Sequence, residues 1–595
     1  MQWDLTNLFP DDNSKEFDTS LRTLEDVYYS FINAWKDRKD YLVDPLILKV
    51  ALDEYEALAA QYGGLGSMGY FFLLRKKQDQ LDTNIIAKFN KINDVLIKLG
   101  NDLQFFTHSI SHIPAELQPV FLEAPILTDY KHMLTMLFAN AKYLLSEPEE
   151  KILNLKSVSS YSNWVSLTSK LLSKEDMLLL EEDGSKAKKP FSYALRLMDS
   201  QQPKVRSVAA KRLNTLLKKH VDVAEQELNS ILYDKKTDDV LRHVERPDMI
   251  RHLADDIETS VVDSMRKAVK AKFGIAHDYY KLKSELLDLP KLKYYERNVR
   301  YGDVDMKITF NEAVDLLSKV FTDLDPEFYD IFKQYLDEKR IDVYPNKGKV
   351  SGAFSIDVAK KLPGYVLLNY TDTLQDVLTL AHEMGHAINA ELIKKTQNGL
   401  NCETSLAVAE VASTFMEDFV LQEVLKDAGK EKQLAIRMMR LNDDISTIFR
   451  QVACYEFEMD LHLSFREKNF LSKQDIGKIF RKHMKAYMGP FVEQSAGSQN
   501  WWVYWSHIRR YFYVYSYASG LLISKSMQTA VSEDKAFIHK VKDFLSAGTA
   551  QSPKDLFINL GIDIASQGFW EKGLDQISLM LSETRALARE LKKVR

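Results

Sequence analysis

Cysteine is scarce in this chain, and long apolar runs and a large net charge are absent. Cys402 and Cys454 are the only two cysteines in 595 residues, so no disulfide framework holds the fold together. A single bridge between them stays open, but a reducing compartment is the simpler interpretation. No apolar stretch approaches the roughly twenty residues that a membrane-spanning helix needs. A net charge of −5 is small for this length and favours neither nucleic acid nor an anionic membrane as a partner.

The remaining composition is that of an ordinary globular protein. Hydrophobic residues make up 45% of the chain and charged residues 28%, and the length is sufficient to bury a large core. Residues 1–4 contain neither a basic nor an apolar region, so we expect no secretory signal. Together these features predict a soluble, cytoplasmic protein, and nothing in the sequence indicates an obligate protein partner.

The clearest chemistry lies in residues 381–386, which read A-H-E-M-G-H. On a helix, His382 and His386 project from one face, and two imidazoles at this spacing suit a tetrahedral zinc ion. Glu383 can then face a water at the metal as a general base, which is the H-E-x-x-H arrangement of metal-assisted hydrolysis. A buried helix with two structural histidines is the alternative that the motif alone leaves open.

A zinc protease needs a third protein ligand. One common class would place glycine at position 389 and histidine at position 392, where this chain has Asn389 and Leu392. That class is therefore excluded. The other common solution is a glutamate from a following helix.

The next helical stretch, residues 404–417, offers such a glutamate. Glu410 is the only charged residue from 406 to 416, and Glu417 follows directly. A charge on an apolar helix is costly unless it is paired or bound to a metal, so we predict Glu410 as the third ligand. Glu417 lies two turns further on nearly the same face and is predicted to orient a ligand histidine. A solvated helix end is the alternative for Glu417.

The sequence H-E-M-G-H at 382–386, together with E-V-A-S-T-F at 410–415, resembles the M3 family of zinc metallopeptidases, specifically its oligoendopeptidase F branch. Further similar motifs, which extend the resemblance over nearly the whole chain, lie at residues 3–10, 352–355, 368–370 and 513–520. The resemblance implies a mainly α-helical peptidase fold that encloses a narrow substrate channel. It also implies one Zn²⁺ per chain and oligopeptide substrates.

Most of the chain has helical periodicity, and its clearest interruption is the charged segment at 181–190, which contains glycine and proline. We take this segment as an approximate boundary. It would separate an N-terminal helical region of the oligopeptidase F type, residues 1–190, from a catalytic M3-type zinc peptidase region, residues 191–595.

Two segments before the zinc motif, residues 350–356 and 365–370, predict short strands and hence a small β-sheet next to the zinc helix. An exposed edge strand can hydrogen-bond to an extended substrate, whereas the alternative is a hairpin that only covers the core. The resemblance favours substrate binding by Gly352, Ala353 and Phe354, with Gly352 allowing close backbone approach.

An aromatic-rich stretch, residues 501–517, is the last candidate region. Most of its rings are expected to pack in a core, but a zinc peptidase also needs donors for the oxyanion that forms during hydrolysis. The resemblance places such donors here. We expect His507 and Tyr513, with Tyr515 and Tyr517 as alternates, and the sequence leaves open which tyrosine faces the metal.

These observations predict a zinc-dependent metalloendopeptidase that hydrolyses internal bonds of short oligopeptides, with Glu383 as the base. Two alternatives stay open. One is a zinc aminopeptidase, although its typical G-x-M-E-N motif is absent. The other is a catalytically inert, peptide-binding relative.

Overall fold

Helices dominate the structure, a computed structural model that describes residues 1–302, 304, 306–405 and 408–595. The sequence patterns explain individual elements well. The longest helix, Pro203–Leu241, begins with the residue that best tolerates the first helical turn and buries one apolar stripe. The predicted mainly α-helical fold is confirmed.

The chain divides into two compact units, and each unit is assembled from three separate segments. Unit 1 comprises Met1–Lys142, Asp305–Lys426 and Met527–Ile562, and unit 2 comprises Tyr143–Val304, Asp427–Ser526 and Asp563–Arg595. None of the described helices is both long and apolar enough to cross a membrane. Both cysteines are free thiols.

Unit 1 consists of helices and one small sheet, whose strands lie between two groups of helices in the sequence. Its helices are Phe17–Trp35, Asp40–Leu42, Pro45–Tyr62, Gly66–Gln78, Thr83–Leu103, Phe105–Ser111, Gln118–Leu122, Pro125–Tyr130, Lys131–Ala141, Phe310–Leu324, Pro326–Asp337, Leu374–Thr396, Ala409–Asp427, Phe537–Leu545 and Pro553–Asn559. Its strands are Ile341–Asp342, Phe354–Ile356 and Tyr365–Leu367.

The sheet of unit 1 confirms the strands predicted before the zinc motif, although they are shorter than expected. Tyr365–Leu367 is the central strand, parallel to Ile341–Asp342 and antiparallel to Phe354–Ile356. Trp3 is buried against this sheet, and its indole Nε1 donates to the carbonyl oxygens of Arg340 and Val366 at 2.9 and 2.8 Å. The first residues of the chain are therefore part of the core beside the sheet.

Unit 2 is also mainly helical. Its helices are Glu147–Ser157, Val158–Ser162, Asn163–Ser173, Phe191–Leu197, Pro203–Leu241, Met249–Ala254, Thr259–Ala271, Phe273–Leu286, Tyr294–Glu296, Lys430–Asp444, Ile445–Phe449, Arg450–Lys468, Lys473–Met488, Gly489–Phe491, Ser498–Val503, Ser506–Arg510 and Gln567–Glu590. Its strands are Asp176–Leu180, Lys186–Pro190, Leu292–Lys293 and Val492–Glu493. The helix Tyr515–Glu533 begins in unit 2 and ends in unit 1.

The charged segment at 181–190 forms the turn and the second strand of a hairpin. Lys186–Pro190 forms a strand that pairs antiparallel with Asp176–Leu180, because the charged residues between them make the turn of a hairpin. Both strands lie within unit 2. The division of the chain into residues 1–190 and 191–595 stays a prediction.

Unit 2 also buries a histidine in a fully polar network. The ring of His252 lies with Nε2 2.9 Å from the Tyr455 hydroxyl and Nδ1 2.9 Å from Thr259 Oγ1. Burial lowers the pKa of His252 to about 4, although Asp248 partly opposes this. An unfolded chain has a histidine pKa of about 6.5, so between these values only the unfolded state binds the proton.

We therefore expect the contribution of the neutral His252 ring to the unfolding free energy to be fully present above about pH 6.5 and to be lost progressively as the pH falls towards 4. One such group contributes a slope of about 1.4 kcal/mol per pH unit. His252→Gln, which cannot titrate, is expected to reduce the slope of unfolding free energy between pH 6 and 5 by about that amount. Urea unfolding at several pH values measures it, with the exposed His539→Gln as control. An unchanged slope in His252→Gln would contradict the expectation.

Candidate metal centre

The helix Leu374–Thr396 carries the two histidines of the motif. Its first turn is fixed by a capping box in which the Asp376 carboxylate accepts from Thr373 N at 3.0 Å and Thr373 Oγ1 accepts from Asp376 N at 3.3 Å. The rings of His382 and His386 lie on one face of this helix, with centroids 5.0 Å apart. The helix geometry thus presents both imidazoles together, as the spacing predicts.

Glu410 joins the two histidines from the first turn of the helix Ala409–Asp427. Its Oε2 lies 3.4 Å from His382 Nε2 and 3.7 Å from His386 Nε2. The three candidate ligand atoms are all within 4.8 Å of one another, and no other such group of His, Cys, Asp or Glu occurs among the described residues. Tetrahedral zinc with bonds of 2.0–2.1 Å separates its ligand atoms by about 3.3 Å, so this donor set fits zinc.

A glycine brings the two ligand-bearing helices into direct contact. A Cβ atom on Gly385 would lie 2.6 Å from Ser413 Cα and 2.7 Å from the Ala412 carbonyl oxygen. Only a residue without a side chain allows this approach, which explains a glycine that otherwise costs about 1 kcal/mol inside a helix. The close approach places Glu410 within reach of both imidazoles.

Two further side chains contact the candidate ligands. Glu417 Oε2 lies 3.2 Å from His382 Nδ1, which leaves Nε2 of that ring directed at Glu410. Ser413 Oγ lies 3.1 Å from Glu410 Oε2, one turn along the same helix. Sequence reasoning found Glu417 but missed Ser413, and the signal available for it was its position three residues after Glu410.

The charged neighbours of the two histidines shift the pKa values of both rings. Burial lowers the pKa of His382, but the hydrogen bond to Glu417 and the nearby carboxylates of Glu383 and Glu410 outweigh it and raise that pKa to about 9. Burial and the neighbouring His382 lower the pKa of His386 to about 4, although Glu410 opposes them. A metal that binds both imidazoles would therefore have to displace a proton from His382.

Glu383 is the predicted base and is almost fully buried in the motif helix, with 7% of its surface exposed. Burial raises the pKa of Glu383 to about 7, although His382 and a hydrogen bond from the Ser355 backbone oppose the shift. A carboxyl group with a pKa near neutrality can both accept and return a proton. Ser355 belongs to the strand Phe354–Ile356, so this strand contacts the base directly.

The predicted substrate-binding residues lie at the start of that strand, which is an edge of the sheet. Gly352 is exposed, has a φ of +84° and has open space where a side chain would be. The Asn369 side-chain amide donates to the Gly352 carbonyl at 2.7 Å and fixes the turn there. Ala353 is half-buried, whereas the Phe354 ring packs 6.4 Å from Trp3 in the core. Phe354 therefore offers a ligand its backbone rather than its ring.

The predicted donors of the aromatic stretch lie in unit 2, and the structure brings three of the four together. His507 Nε2 lies 3.3 Å from the Tyr517 hydroxyl, and the Tyr513 and Tyr517 ring centroids are 5.5 Å apart. Tyr515 does not join them, because it is fully buried and its hydroxyl donates to Asp255 at 2.6 Å. The helix that begins at Tyr515 turns this residue away from the face shared by residues 513 and 517. Tyr515 was an alternate among the predicted donors, and because its hydroxyl is already bonded to Asp255 we do not include it in the function proposed below.

Comparison with known sequences and structures places this geometry in context. The sequence profile of Peptidase family M3 matches residues 186–576, and that of Oligopeptidase F matches residues 110–174. Oligopeptidase PepF of Bacillus subtilis is 26% identical over 99% of this chain and 88% of its own length. Group B oligopeptidase PepB of Streptococcus agalactiae is 26% identical over 96% of this chain and 94% of its own.

Solved structures of related fold cover the chain equally well. A peptidase from Chlamydophila abortus superimposes with a TM-score of 0.84 at 22% identity and covers 98% of both chains. Oligoendopeptidase-F from Enterococcus faecium superimposes with a TM-score of 0.71 at 18% identity and covers 97% of this chain and 99% of its own. The prediction of a metallopeptidase is confirmed, and the chain belongs to peptidase family M3, in its oligoendopeptidase F branch.

Proposed function

We propose that this chain is a zinc-dependent endopeptidase that cuts internal bonds of short oligopeptides. The observation that carries the proposal is the convergence of His382, His386 and Glu410 beside the buried carboxyl group of Glu383. An inert relative would have no reason to keep both the ligands and a base. The names of the relatives, oligopeptidase and oligoendopeptidase, support short peptides as the substrate class.

His382 Nε2, His386 Nε2 and one oxygen of Glu410 would hold the zinc ion. Zinc, when bound, acts as a Lewis acid that polarises the scissile carbonyl and makes a water more acidic. Glu417 accepts the Nδ1 proton of His382 and so keeps the Nε2 atom of that ring available as a ligand. Ser413 supports Glu410 in the same way from within its own helix.

Glu383 moves the proton in this proposal. Its carboxylate takes a proton from the attacking water and later returns it to the nitrogen of the leaving amine. A pKa raised to about 7 by burial suits both steps, because neither form of the group is strongly disfavoured near neutral pH.

The remaining groups bind and stabilise the peptide. His507, Tyr513 and Tyr517 are proposed to donate hydrogen bonds to the oxyanion formed at the scissile carbonyl, a contribution of about 3–4 kcal/mol for a well-placed donor. The exposed backbone at Gly352 and Ala353 and the adjacent Phe354 is proposed to pair with the substrate backbone. The free thiols support the reducing, cytoplasmic location expected from the sequence.

Cleavage of an internally quenched nonapeptide, blocked at both ends, tests this function. We expect cutting at an internal bond, loss of cutting with a chelator, and recovery when zinc is added back. Because an aminopeptidase needs a free α-amine, cutting only of the unblocked peptide would identify that alternative. A zinc-loaded protein that cuts neither peptide, across a varied set of sequences, would leave the inert peptide-binding alternative.

A further inference from the structure

The backbone is strained directly before Tyr513, one of the proposed oxyanion donors. Tyr511 and Phe512 have φ angles of +44° and +57°, two consecutive left-handed residues of which neither is glycine. Bulky residues rarely adopt this conformation, and it persists only where the surroundings enforce it. The turn follows the short helix Ser506–Arg510, which carries His507, and precedes Tyr513.

A buried carboxyl group holds this turn. Phe512 N donates to Glu458 Oε2 at 2.6 Å, and Glu458 is fully buried on the helix Arg450–Lys468. The Phe512 ring is enclosed by His462 and Tyr455 of the same helix, with ring centroids 4.9 and 5.2 Å away. One helix therefore fixes both the amide and the side chain of Phe512.

The burial of Glu458 costs folding free energy. Its other oxygen, Oε1, is buried and has no hydrogen-bond partner among the described residues. Burial raises the pKa of Glu458 to about 8, and only the Phe512 amide opposes the shift. Burying a carboxyl group without a paired cation costs folding free energy, so an apolar residue would be more stable at this position. The position of Glu458 therefore indicates a role that an apolar residue could not serve. Within the described part of the chain, the one hydrogen bond of this side chain is to the amide of the strained turn.

The rest of the segment is held independently of Glu458. The buried Arg509 guanidinium donates to the Trp502 and Trp505 carbonyls at 3.1 and 2.8 Å and pairs with Glu227 at 3.0 Å. Residues 502–509 are thus anchored before the turn is reached. The direction in which the chain leaves towards Tyr513 and Tyr517 depends on the left-handed turn itself.

We propose that Glu458 is a positioning residue, which fixes the turn at Tyr511 and Phe512 through the Phe512 amide and thereby sets the arrangement of His507, Tyr513 and Tyr517. The inference rests on the proposed function, in which those three side chains serve the oxyanion. Glu458 itself touches none of the reacting atoms in that function. It acts through the backbone.

Two substitutions separate the reach of this side chain from its carboxyl group. Glu458→Gln keeps the length and one carbonyl oxygen that can accept from Phe512 N, whereas Glu458→Asp keeps the carboxyl group but is one methylene shorter. We expect kcat on the blocked nonapeptide to fall at most about threefold in the Glu458→Gln variant and about tenfold or more in the Glu458→Asp variant, with KM nearly unchanged in both. Glu467→Asp, an exposed position on the same helix, is the matched control. A loss of kcat in Glu458→Gln that equals or exceeds the loss in Glu458→Asp would overturn the proposal.

Non-additivity provides the second test, because a merely structural residue would not show it. In a Tyr513→Phe/Tyr517→Phe background, Glu458→Asp is expected to lower kcat by less than about twofold further. An equal loss in both backgrounds would overturn positioning while leaving the endopeptidase intact. A wild-type protein that cuts no peptide would overturn the proposed function and this inference with it.

Hydrogen exchange gives a readout that does not depend on activity. We expect the Phe512 amide to exchange at least about tenfold faster in Glu458→Asp than in Glu458→Gln, because only the longer side chain reaches it. Equal exchange rates in the two variants would also overturn the proposal.

Discussion

Glu383→Gln is expected to lower kcat on the blocked nonapeptide by about 10³-fold, within the range that a general base contributes. The amide of glutamine has nearly the shape of the carboxyl group, but it cannot take a proton from water. Glu383 is not one of the three residues that can bind the metal, so the variant should retain its zinc. Steady-state kinetics and metal analysis of the same preparation measure both quantities.

Asp315→Asn is the matched control for Glu383→Gln. It also replaces one carboxylate of unit 1 with an amide, but on an exposed face of the helix Phe310–Leu324. Its kcat and zinc content should match those of the wild type. A Glu383→Gln protein that binds zinc and cuts within tenfold of the wild-type rate would exclude Glu383 as the base.

Gly385→Ala is expected to disrupt the metal centre with a single methyl group. The added carbon meets the backbone of residues 412 and 413, which cannot rotate away as a side chain could. The two helices must separate, and Glu410 moves with its helix away from the imidazoles. We expect a loss of about 1–3 kcal/mol in unfolding free energy. Zinc affinity should fall by about 100-fold, the upper range for a disturbed ligand environment.

Gly100→Ala controls for the intrinsic helix preference of alanine. Gly100 lies inside the helix Thr83–Leu103 with nothing within 4 Å of its added Cβ, so the substitution should stabilise by about 1 kcal/mol. Competition with a chromophoric chelator measures zinc affinity, and urea unfolding measures stability. Wild-type zinc affinity in Gly385→Ala would mean that the helix contact does not set the ligand geometry.

The grouping of His382, His386 and Glu410 was predictable because its geometry is mostly local. The spacing of His382 and His386 fixes their relative position on any helix. Glu410 stood out as the one charge in an apolar stretch, and burial of a charge demands a partner. The reason for Gly385 was not predictable, because it lies in a contact with a helix more than twenty residues away in the sequence.

The predicted aromatic donors and the hairpin show what local sequence patterns could not predict. Separating Tyr515 from Tyr513 and Tyr517 requires knowing where the helix Tyr515–Glu533 begins and how the turn before it is held. Glu458, about fifty residues earlier, accepts from the Phe512 amide of that turn, and Asp255 accepts from the Tyr515 hydroxyl. At 181–190 the charged composition suggested an interruption of the helices, and only the pairing with the preceding strand shows that residues 186–190 form a hairpin strand.

The segmented construction of unit 1 also affects the order in which the protein can mature on the ribosome. Every predicted zinc ligand precedes residue 411, yet Asn389 on the motif helix donates to the Leu545 carbonyl at 2.5 Å, and Gln528 donates to the Thr414 carbonyl at 3.3 Å. Both partners belong to the last segment of the unit, Met527–Ile562. A nascent chain therefore emerges with its ligands long before the helices that carry them gain their final neighbours. Premature termination near residue 526 would release a chain that has all its ligands but an incomplete core, a substrate for chaperones and proteases rather than a shortened enzyme.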